Sequence, residues 1–227
     1  FGNHRNLRGN ALKEYHKGYT LSELQKSILV GTLLGDGSFS LRQSRGKVLV
    51  NVQLKCEQKN FEYLALLYKA FEDIIGTPVR FRCHTGSQGT LNIKSYYFKT
   101  YTLPLFQFYS NEFYSIDALG NRRKQVPKLI HRWLTPEALA IWFQDDGHRL
   151  PTGYALNTQG FYLYEIRVLQ KALRTNFGFD PQIHRDKEKK DGSRVLYKLA
   201  LNVKDKDAFT KLIAPLVVPS MKYKLHT

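Results

Sequence analysis

Apolar residues recur at helical spacing in two similar segments, TLSELQKSILVGTLLGDG at 20–37 and TPEALAIWFQDDG at 135–147. Each pattern predicts a helix that ends at an Asp-Gly pair, where the glycine is expected to adopt a left-handed conformation. In the first segment, Thr20 and Glu23 have the spacing of a capping box. In the second, Thr135 can cap the helix and is followed by a proline suited to its first turn.

The same order of elements follows each of these helices. Strand-like segments lead to a second amphipathic helix, NFEYLALLYKAFEDIIG or YLYEIRVLQKALRTNFG, which is expected to end at Gly76 or Gly178. Each half therefore reads helix, strands, helix, strands, helix, and this repeat predicts a duplicated α+β unit. The predicted organisation is a basic N-terminal extension at 1–19, half-domains at 20–113 and 127–227, and a linker region at 114–126.

Strict alternation of apolar and polar residues marks the strands. It is clear in VLVNVQLK, VRFRCH and LNIK of the first half and around Lys198 of the second. Such alternation predicts antiparallel sheets with one packed face and one solvated face. The solvated faces are rich in Arg, Lys, Asn and Gln, which carry donors for phosphates and base edges. An ordinary solvated face is the alternative for any single strand, but the same basic bias on several strands favours a binding surface.

The composition points to a polyanionic ligand. The 227 residues include 35 Lys and Arg against 19 Asp and Glu, a net charge of +16. Because the basic residues lie within strand-like segments, nucleic acid is favoured over the alternatives, simple solubility or attraction to a membrane surface. No apolar run reaches the ~18 residues that span a bilayer, so no membrane segment is predicted. Cys56 and Cys83 are too few for a zinc cluster and are expected in the core.

Asp36 and Asp146 occupy unfavourable positions at the ends of their helices. A helix C-terminus carries partial negative charge, which disfavours a carboxylate there by roughly 0.3–1 kcal/mol. Two such residues at matching points of a repeat indicate that a cation compensates, and an oxygen-only site favours Mg²⁺, Mn²⁺ or Ca²⁺ over zinc. The alternative is two unrelated helices with exposed capping aspartates, which either Asp-Gly pair alone would favour. Gly31 and Gly35, one turn apart, would let a second backbone approach.

At these positions the sequence resembles a known family. LVGTLLGDG at 29–37 and LAIWFQDDG at 139–147 are similar to the two motifs of single-chain LAGLIDADG homing endonucleases, and ALNTQGF, RRKQVP and PSMKYKL extend the resemblance over the chain from about Thr20. The resemblance implies two motif helices at a pseudo-twofold interface and two antiparallel sheets that form a DNA-binding saddle. It implies a monomer that cleaves both strands of a long asymmetric double-stranded DNA site with Mg²⁺, for which Mn²⁺ can substitute. The second motif has Ile141 and Asp145 at small-residue positions, and the space beside Gly31 and Gly35 is expected to accommodate Ile141.

The resemblance also assigns site residues. It implies that the catalytic residues are Asp36, Asp146, Lys124, Lys224, Gln58 and Gln159, with the two aspartates binding the metal. Simple phosphate contact is the alternative role for each lysine. The expected DNA contacts are Arg42, Arg45, Lys55, Arg80, Arg82, Lys94, Arg149, Arg185, Lys187, Arg194 and Lys198.

Two other functions are compatible with this family resemblance. An intron maturase uses the same fold to assist RNA splicing, which makes intron RNA a second candidate partner. A transcription regulator could be built on a nuclease-dead version, but the presence of both aspartates and both lysines counts against it. The resemblance also suggests an intracellular protein of organelle-intron origin, in the mitochondrion or the chloroplast.

Overall fold

The computed structural model describes residues 8–44, 47–85, 90–118, 120–188 and 194–226. In the first half the helices are α1 (Gly9–Lys17), α2 (Glu23–Leu34), α3 (Phe61–Ala70) and α4 (Leu105–Phe113), and the strands are β1 (Ser38–Ser44), β2 (Lys47–Gln58), β3 (Ile75–Thr85) and β4 (Leu91–Thr100). A short hairpin of β5 (Tyr114–Ile116) and β6 (Arg122–Lys124) follows. The second half contains α5 (Pro136–Asp146), β7 (Gly147–Leu150), β8 (Gly153–Asn157), α6 (Leu163–Phe177), β9 (Gln182–Glu188), β10 (Val195–Leu201) and α7 (Val203–Ile213). Short 3₁₀ helices cover Glu72–Ile74, Ile130–Arg132, Ala214–Leu216 and Pro219–Lys224.

The two halves have the same topology. Each runs from a motif helix through two strands, a helix and two further strands to a last helix. The sheets have the orders β1-β2-β4-β3 and β7-β8-β10-β9, and every pairing in them is antiparallel. The predicted duplicated α+β fold is therefore confirmed. The predicted linker region contains an additional element, the β5–β6 hairpin.

The two motif helices are capped by different residues. Thr135 caps α5 as predicted, since its Oγ1 accepts a hydrogen bond from the Ala138 amide at 3.1 Å. For α2 the predicted pair Thr20 and Glu23 is wrong. The Gln25 amide donates to Ser22 Oγ at 3.2 Å, and the Ser22 amide donates to Gln25 Oε1 at 3.0 Å. The capping box thus lies two residues further on, because the Ser-x-x-Gln pattern satisfies both amides at once.

The glycines at the predicted helix ends serve different purposes. Gly178 has φ 72° and ends α6 in the left-handed conformation, as predicted. Gly76 instead lies in β3, where a Cβ atom would be 2.9 Å from the Thr100 carbonyl oxygen, so the residue permits close approach of two backbones. Gly147 has φ −90° and is not left-handed. A Cβ atom there would be 2.1 Å from the Phe143 ring, so α5 requires glycine at this position for space.

The chain divides into two compact units, each with its own core. The first comprises residues up to Lys26 and Asp36–Ser110, and the second comprises Ser27–Gly35 and residues from Asn111 onward. Cys56 is buried in the first core, whereas Cys83 is exposed, contrary to the expectation for both cysteines. Within the described part of the chain, no helix combines the length and apolar character needed to cross a membrane.

Within the second unit, residues of α2 pack closely on α5. A Cβ atom at Gly31 would be 2.4 Å from the Ala138 carbonyl oxygen and 2.7 Å from Ile141 Cβ. A Cβ atom at Gly35 would be 2.4 Å from Asp145 Cβ. The prediction that a first-motif glycine accommodates Ile141 is confirmed, and Asp145 fills the second space. The two motifs are therefore complementary rather than symmetric.

The outer part of the β3–β4 hairpin departs from the expected one-sided burial. Phe81, Leu91 and Ile93, predicted on a packed face, are 62%, 75% and 50% exposed. On the same side, α3 reaches Tyr96, the register partner of Phe81, through the edge-on contact of Phe61, with the ring centroids 5.0 Å apart. A ten-residue helix spans about 15 Å, whereas strands of this length span about 33 Å. The helix is too short to cover the whole hairpin.

Candidate active site and nucleic-acid interface

The two motif aspartates lie at the C-terminal ends of their helices. Asp146 is the last residue of α5 and is partly exposed, and Asp36 is exposed in the turn that follows α2. Helical hydrogen bonding continues as far as Gly35, whose amide donates to the Gly31 carbonyl at 3.0 Å. Both carboxylates are therefore accessible to a cation at the negative end of a helix dipole.

A lysine binds each of these helix ends. Lys124 Nζ, from β6, donates to the carbonyl oxygen of Gly35, the residue before Asp36, at 2.5 Å. Lys224 Nζ, from the 3₁₀ helix Pro219–Lys224, donates to the carbonyl oxygen of Gln144 in the last turn of α5 at 2.6 Å. The last carbonyls of a helix have no partner within the helix and carry the negative end of its dipole. An ammonium group therefore compensates each unfavourable helix end.

The motif aspartates match the ligand preference of hard divalent cations. Among the described residues there is no group of three or more His, Cys, Asp and Glu side chains that could enclose a metal. Asp36 and Asp146 each offer carboxylate oxygens, the ligand type that hard divalent cations such as Mg²⁺ and Mn²⁺ prefer.

On the polar face of the second sheet, Asp186 brings two predicted residues together. Gln159 Nε2 donates to Asp186 Oδ2 at 3.0 Å, and Lys198 Nζ lies 3.8 Å from Asp186 Oδ1. The hydrogen bond from Gln159 and the charge of Lys198 hold the pKa of Asp186 below its ordinary value. Burial, reinforced by the charges of Lys198 and Lys224, lowers the pKa of the nearby His148. Sequence reasoning did not identify Asp186.

An acidic residue has the same organising role on the first sheet. Glu57 forms ion pairs with Lys55 and with Arg82, whose Nε lies 3.2 Å from Glu57 Oε1, and it accepts a 2.5 Å hydrogen bond from Ser95 Oγ. Partial burial acts to raise the pKa of Glu57, but the hydrogen bonds and the two cations outweigh it and the pKa lies below its ordinary value. The Arg82 guanidinium also lies over the Tyr97 ring, 5.3 Å from its centroid.

The placement of Gln58 differs from its expected role near a catalytic water. It is the last residue of β2, as predicted, but it is 8% exposed and follows the alternation of Leu54 and Cys56, which are fully buried. Lys55 and Glu57 occupy the opposite side of the strand. Gln58 therefore belongs to the packed face, and the position on the polar face is taken by Glu57.

Several predicted DNA contacts lie on the polar faces. Arg80 and Arg82 share one side of β3, and Lys198 shares the polar side of the second sheet with its register partner Asn157. Lys94 is exposed at a bulge in β4, and Lys187 is exposed after a bulge in β9. Arg45 and the side chain of Arg42 lie outside the described residues. The DNA-binding role of these residues stays a prediction.

The other three arginines are engaged by the protein itself. Arg149 alternates with His148 on β7 and donates to the Leu225 carbonyl at 3.3 Å, which fixes the C-terminal segment. Arg185 lies on the side of β9 occupied by Ile183 and pairs with Glu188 at 3.1 Å. Strand alternation places both on the side of the sheet opposite Lys198, and their contact with DNA stays a prediction.

Arg194, the third of these arginines, supports the loop that carries Gln159. Its Nη2 donates to the Gln159 carbonyl oxygen at 2.5 Å. Its guanidinium also lies over the Tyr162 ring, 4.9 Å from the centroid. Both contacts fix the segment between β8 and α6, so Arg194 has a positioning role that sequence reasoning did not predict.

Comparison with known proteins agrees with this architecture. The model of the LAGLIDADG DNA endonuclease family matches residues 26–209. "Probable intron-encoded endonuclease 1" of Wickerhamomyces canadensis is 28% identical over 223 residues, covering 94% of this chain and 89% of that protein. "DNA endonuclease I-ChuI" of Chlamydomonas applanata is 28% identical, covering 91% and 96%. "Cytochrome b mRNA maturase bI2" of Saccharomyces cerevisiae is 30% identical over 207 residues, but the chain spans only 46% of that protein.

Solved structures show the same fold. The homing endonuclease I-WcaI, bound to its DNA recognition sequence, superimposes with a TM-score of 0.78 at 24% identity, covering 96% of this chain and 93% of that one. A variant of I-DmoI in complex with its target DNA, in the presence of 2 mM Mn, gives a TM-score of 0.54 at 13% identity. The fold, the two motifs and the family match over residues 26–209 agree, and the chain belongs to the LAGLIDADG DNA endonuclease family, as its sequence predicts.

Proposed function

We propose that this protein is a monomeric homing endonuclease that hydrolyses both strands of a long, asymmetric double-stranded DNA site with the help of divalent metal ions. The observation that carries the proposal is found at both motif-helix ends, where an accessible aspartate lies one or two residues after a carbonyl that a lysine binds. Family membership and the endonuclease relatives support it. Mg²⁺ is the proposed ion, with Mn²⁺ as a substitute.

In the proposed mechanism Asp36 and Asp146 hold the metal ions, with DNA phosphates and water as the remaining ligands. When bound, the ions would neutralise charge on the scissile phosphates and favour deprotonation of water. Lys124 and Lys224 are fixed at the same helix ends and stabilise the negative charge that develops during phosphodiester hydrolysis. Gln159 is assigned to position a water molecule by hydrogen bonding, and its hydrogen bond to Asp186 supports this role by orienting the side chain.

Recognition is assigned to the polar faces of the two sheets. Ion pairing with Glu57 and Asp186 restrains Lys55, Arg82 and Lys198, which reduces the side-chain entropy lost when they contact a groove. Arg80 and Lys94 are exposed, which suits contact with phosphates or base edges. Each half would follow about one turn of major groove, and together they would cover a site on the order of 20 base pairs.

The experiment that tests this proposal is selection of cleavable sites from a randomised duplex library. The protein is incubated with the library in Mg²⁺, and a parallel sample contains EDTA. We expect one asymmetric site of about 20 base pairs to be enriched only with Mg²⁺, and light scattering to report a monomer. Absence of metal-dependent enrichment, a strictly palindromic site or an obligate dimer would contradict the proposal.

A second candidate function is assistance of RNA splicing. The observation that favours it is the similarity to cytochrome b mRNA maturases of Saccharomyces cerevisiae and Debaryomyces hansenii. The same similarity, with the intron-encoded endonuclease relatives, supports an origin in an organelle intron and a site of action in the mitochondrion or chloroplast. Intron RNA is the corresponding second partner.

A further inference from the structure

We propose that Glu165 and Arg123 form a positioning unit for the active-site lysine Lys124. The inference rests on the proposed function, because it assigns to Lys124 a role in DNA cleavage. Neither Glu165 nor Arg123 belongs to a motif helix. Their part is to set where the Lys124 ammonium lies, without contact with the DNA.

Glu165 is a buried carboxylate that collects donors from two separate segments. It is 2% exposed and lies in the first turn of α6, where its Oε2 accepts from the Tyr162 amide at 2.7 Å. Arg123 Nη1 donates to Glu165 Oε1 and Oε2 at 3.1 and 3.0 Å, and the Val126 amide donates to Oε1 at 3.3 Å. The first contact caps α6, whereas the other two reach the segment that carries Lys124.

In the sequence, Lys124 lies between Arg123 and Val126, the two residues of this segment that Glu165 binds. The Arg123 guanidinium, besides binding Glu165, donates to the carbonyl oxygen of Lys124 at 2.8 Å. On the other side the Gln125 amide donates to the Phe113 carbonyl at 2.8 Å. The Lys124 backbone is thus restrained before, at and after the residue, so its side chain projects from a fixed point toward the Gly35 carbonyl, 2.5 Å from Nζ.

Stability alone gives a weak reason for this ion pair. Replacing a buried ion pair by apolar residues of similar volume is often neutral or stabilising, because desolvation offsets the attraction. What the planar guanidinium fork supplies and an apolar side chain does not is direction, since its Nη1 binds Glu165 and the Lys124 carbonyl while its Nη2 donates to the Tyr164 hydroxyl at 3.0 Å. Arg123 is further restrained by Tyr162, whose ring centroid lies 4.1 Å from the guanidinium carbon.

The expected consequence of loosening the unit is a slower chemical step with unchanged DNA binding. A displacement of about 1 Å at a reacting group can lower a rate roughly a hundred-fold. Glu165→Gln keeps the size of the side chain and one oxygen acceptor but removes the charge that binds Arg123. Arg123→Lys keeps the charge and removes the fork. Both variants should lower the single-turnover cleavage rate by about ten- to a hundred-fold, while the dissociation constant for DNA, measured in Ca²⁺, stays within two-fold of the parent.

The decisive measurement is a double-mutant cycle with Lys124→Met. Glu165→Gln and Arg123→Lys are each measured in the parent and in the Lys124→Met background, with the unfolding midpoint of every variant. If Glu165 and Arg123 act through Lys124, each of the two substitutions should lower the cleavage rate by less than two-fold in the Lys124→Met background. Arg174→Lys is the matched control, because Arg174 also lies on α6 and pairs with the partly exposed Asp180, and its cleavage rate should equal that of the parent.

Three results would overturn the proposal. Equal losses in both backgrounds would mean that Glu165 and Arg123 serve only the fold, and parental rates for both variants beside an impaired Lys124→Met would mean that they do not position the lysine. If Glu165→Gln fails to fold, the Arg123→Lys arm decides alone. A Lys124→Met protein that cleaves at the parental rate overturns both this inference and the proposed role of Lys124, whereas loss in that variant alone leaves the proposed function standing.

Discussion

At the scale of single residues, the lysines at the motif-helix ends supply positive charge where the sequence indicates that a cation is needed. Two aspartates at unfavourable helix positions indicate a compensating cation, and from the sequence that cation could only be inferred as a metal. The folded chain supplies Lys124 and Lys224 as well, through long-range contacts with Gly35 and Gln144. Residue types and spacing cannot reveal such contacts.

Loss of either motif carboxylate should abolish double-strand cleavage while DNA binding is retained. Asp36→Asn and Asp146→Asn keep the shape of the side chain but remove the charge that a divalent ion requires. Binding should equal or exceed that of the parent, because a negative charge near phosphates is lost. Nicking and gel-shift assays in Mg²⁺ and Ca²⁺ measure both effects, with the exposed Asp207→Asn as control. Parental cleavage by both variants would remove the assignment.

Glu57 is predicted to control the specificity of DNA binding. Glu57→Gln releases Lys55 and Arg82 from their shared carboxylate and removes one negative charge from the polar face. Affinity for unrelated duplexes should rise, and the preference for the selected site should fall by about ten-fold, the value of one well-placed contact.

Competition binding with cognate and scrambled duplexes tests the role of Glu57. Glu72→Gln is a suitable control, because Glu72 pairs with Lys69 at the surface of the same unit. An unchanged specificity ratio in Glu57→Gln would show that this carboxylate does not organise recognition.

At the scale of elements, sequence patterns predict those features that depend on interactions between residues close together in the chain. Helix order, the Thr135 cap and the left-handed Gly178 follow from side chains and glycine conformations a few residues apart. Features set by distant partners do not follow. The sequence predicts a helix end at Gly76, because the backbone of β4 that packs against it is distant in the chain. The alternation of the outer β3–β4 hairpin predicts a packed face, because it does not show how much of that face α3 covers.

The packing of α2 against α5 predicts that Gly31→Ala destabilises the protein, whereas helix propensity alone predicts that it stabilises the protein. Replacing a helical glycine by alanine at an open position stabilises by about 1 kcal/mol. At Gly31 the added Cβ would be 2.4 Å from the Ala138 carbonyl oxygen and 2.7 Å from Ile141 Cβ, so Gly31→Ala should instead destabilise by about 1–3 kcal/mol.

Thermal or urea unfolding measures the effect at Gly31. Gly160→Ala is the control, because nothing lies within 4 Å of a Cβ there, and it should change stability little. A Gly31→Ala protein as stable as the parent would show that the two helices are not held at this distance.

At the scale of the whole molecule, the family and the duplicated fold could be predicted because they rest on motifs and repeats within the sequence. The proposed catalytic aspartates and lysines could be assigned by resemblance to the family. Glu57, Asp186 and Glu165 could not, because they lie outside the motifs and meet their cationic partners only in the folded chain. A positive net charge of +16 fits either DNA or RNA and does not decide between them.

The last prediction separates the endonuclease from the maturase. B-form DNA presents base edges in a major groove that a sheet can enter, whereas the deep, narrow major groove of A-form RNA is closed to side chains. The polar faces carry charged pairs around Glu57 and Asp186, which suit contacts with groove edges and phosphates. We therefore expect specific duplex cleavage in Mg²⁺ and at most weak assistance of splicing.

Splicing of the host intron is measured beside cleavage of the intronless junction, with the parent and with Asp36→Asn/Asp146→Asn. Strong splicing assistance that survives in the double variant, together with an intronless junction that the parent leaves intact, would establish the maturase function instead.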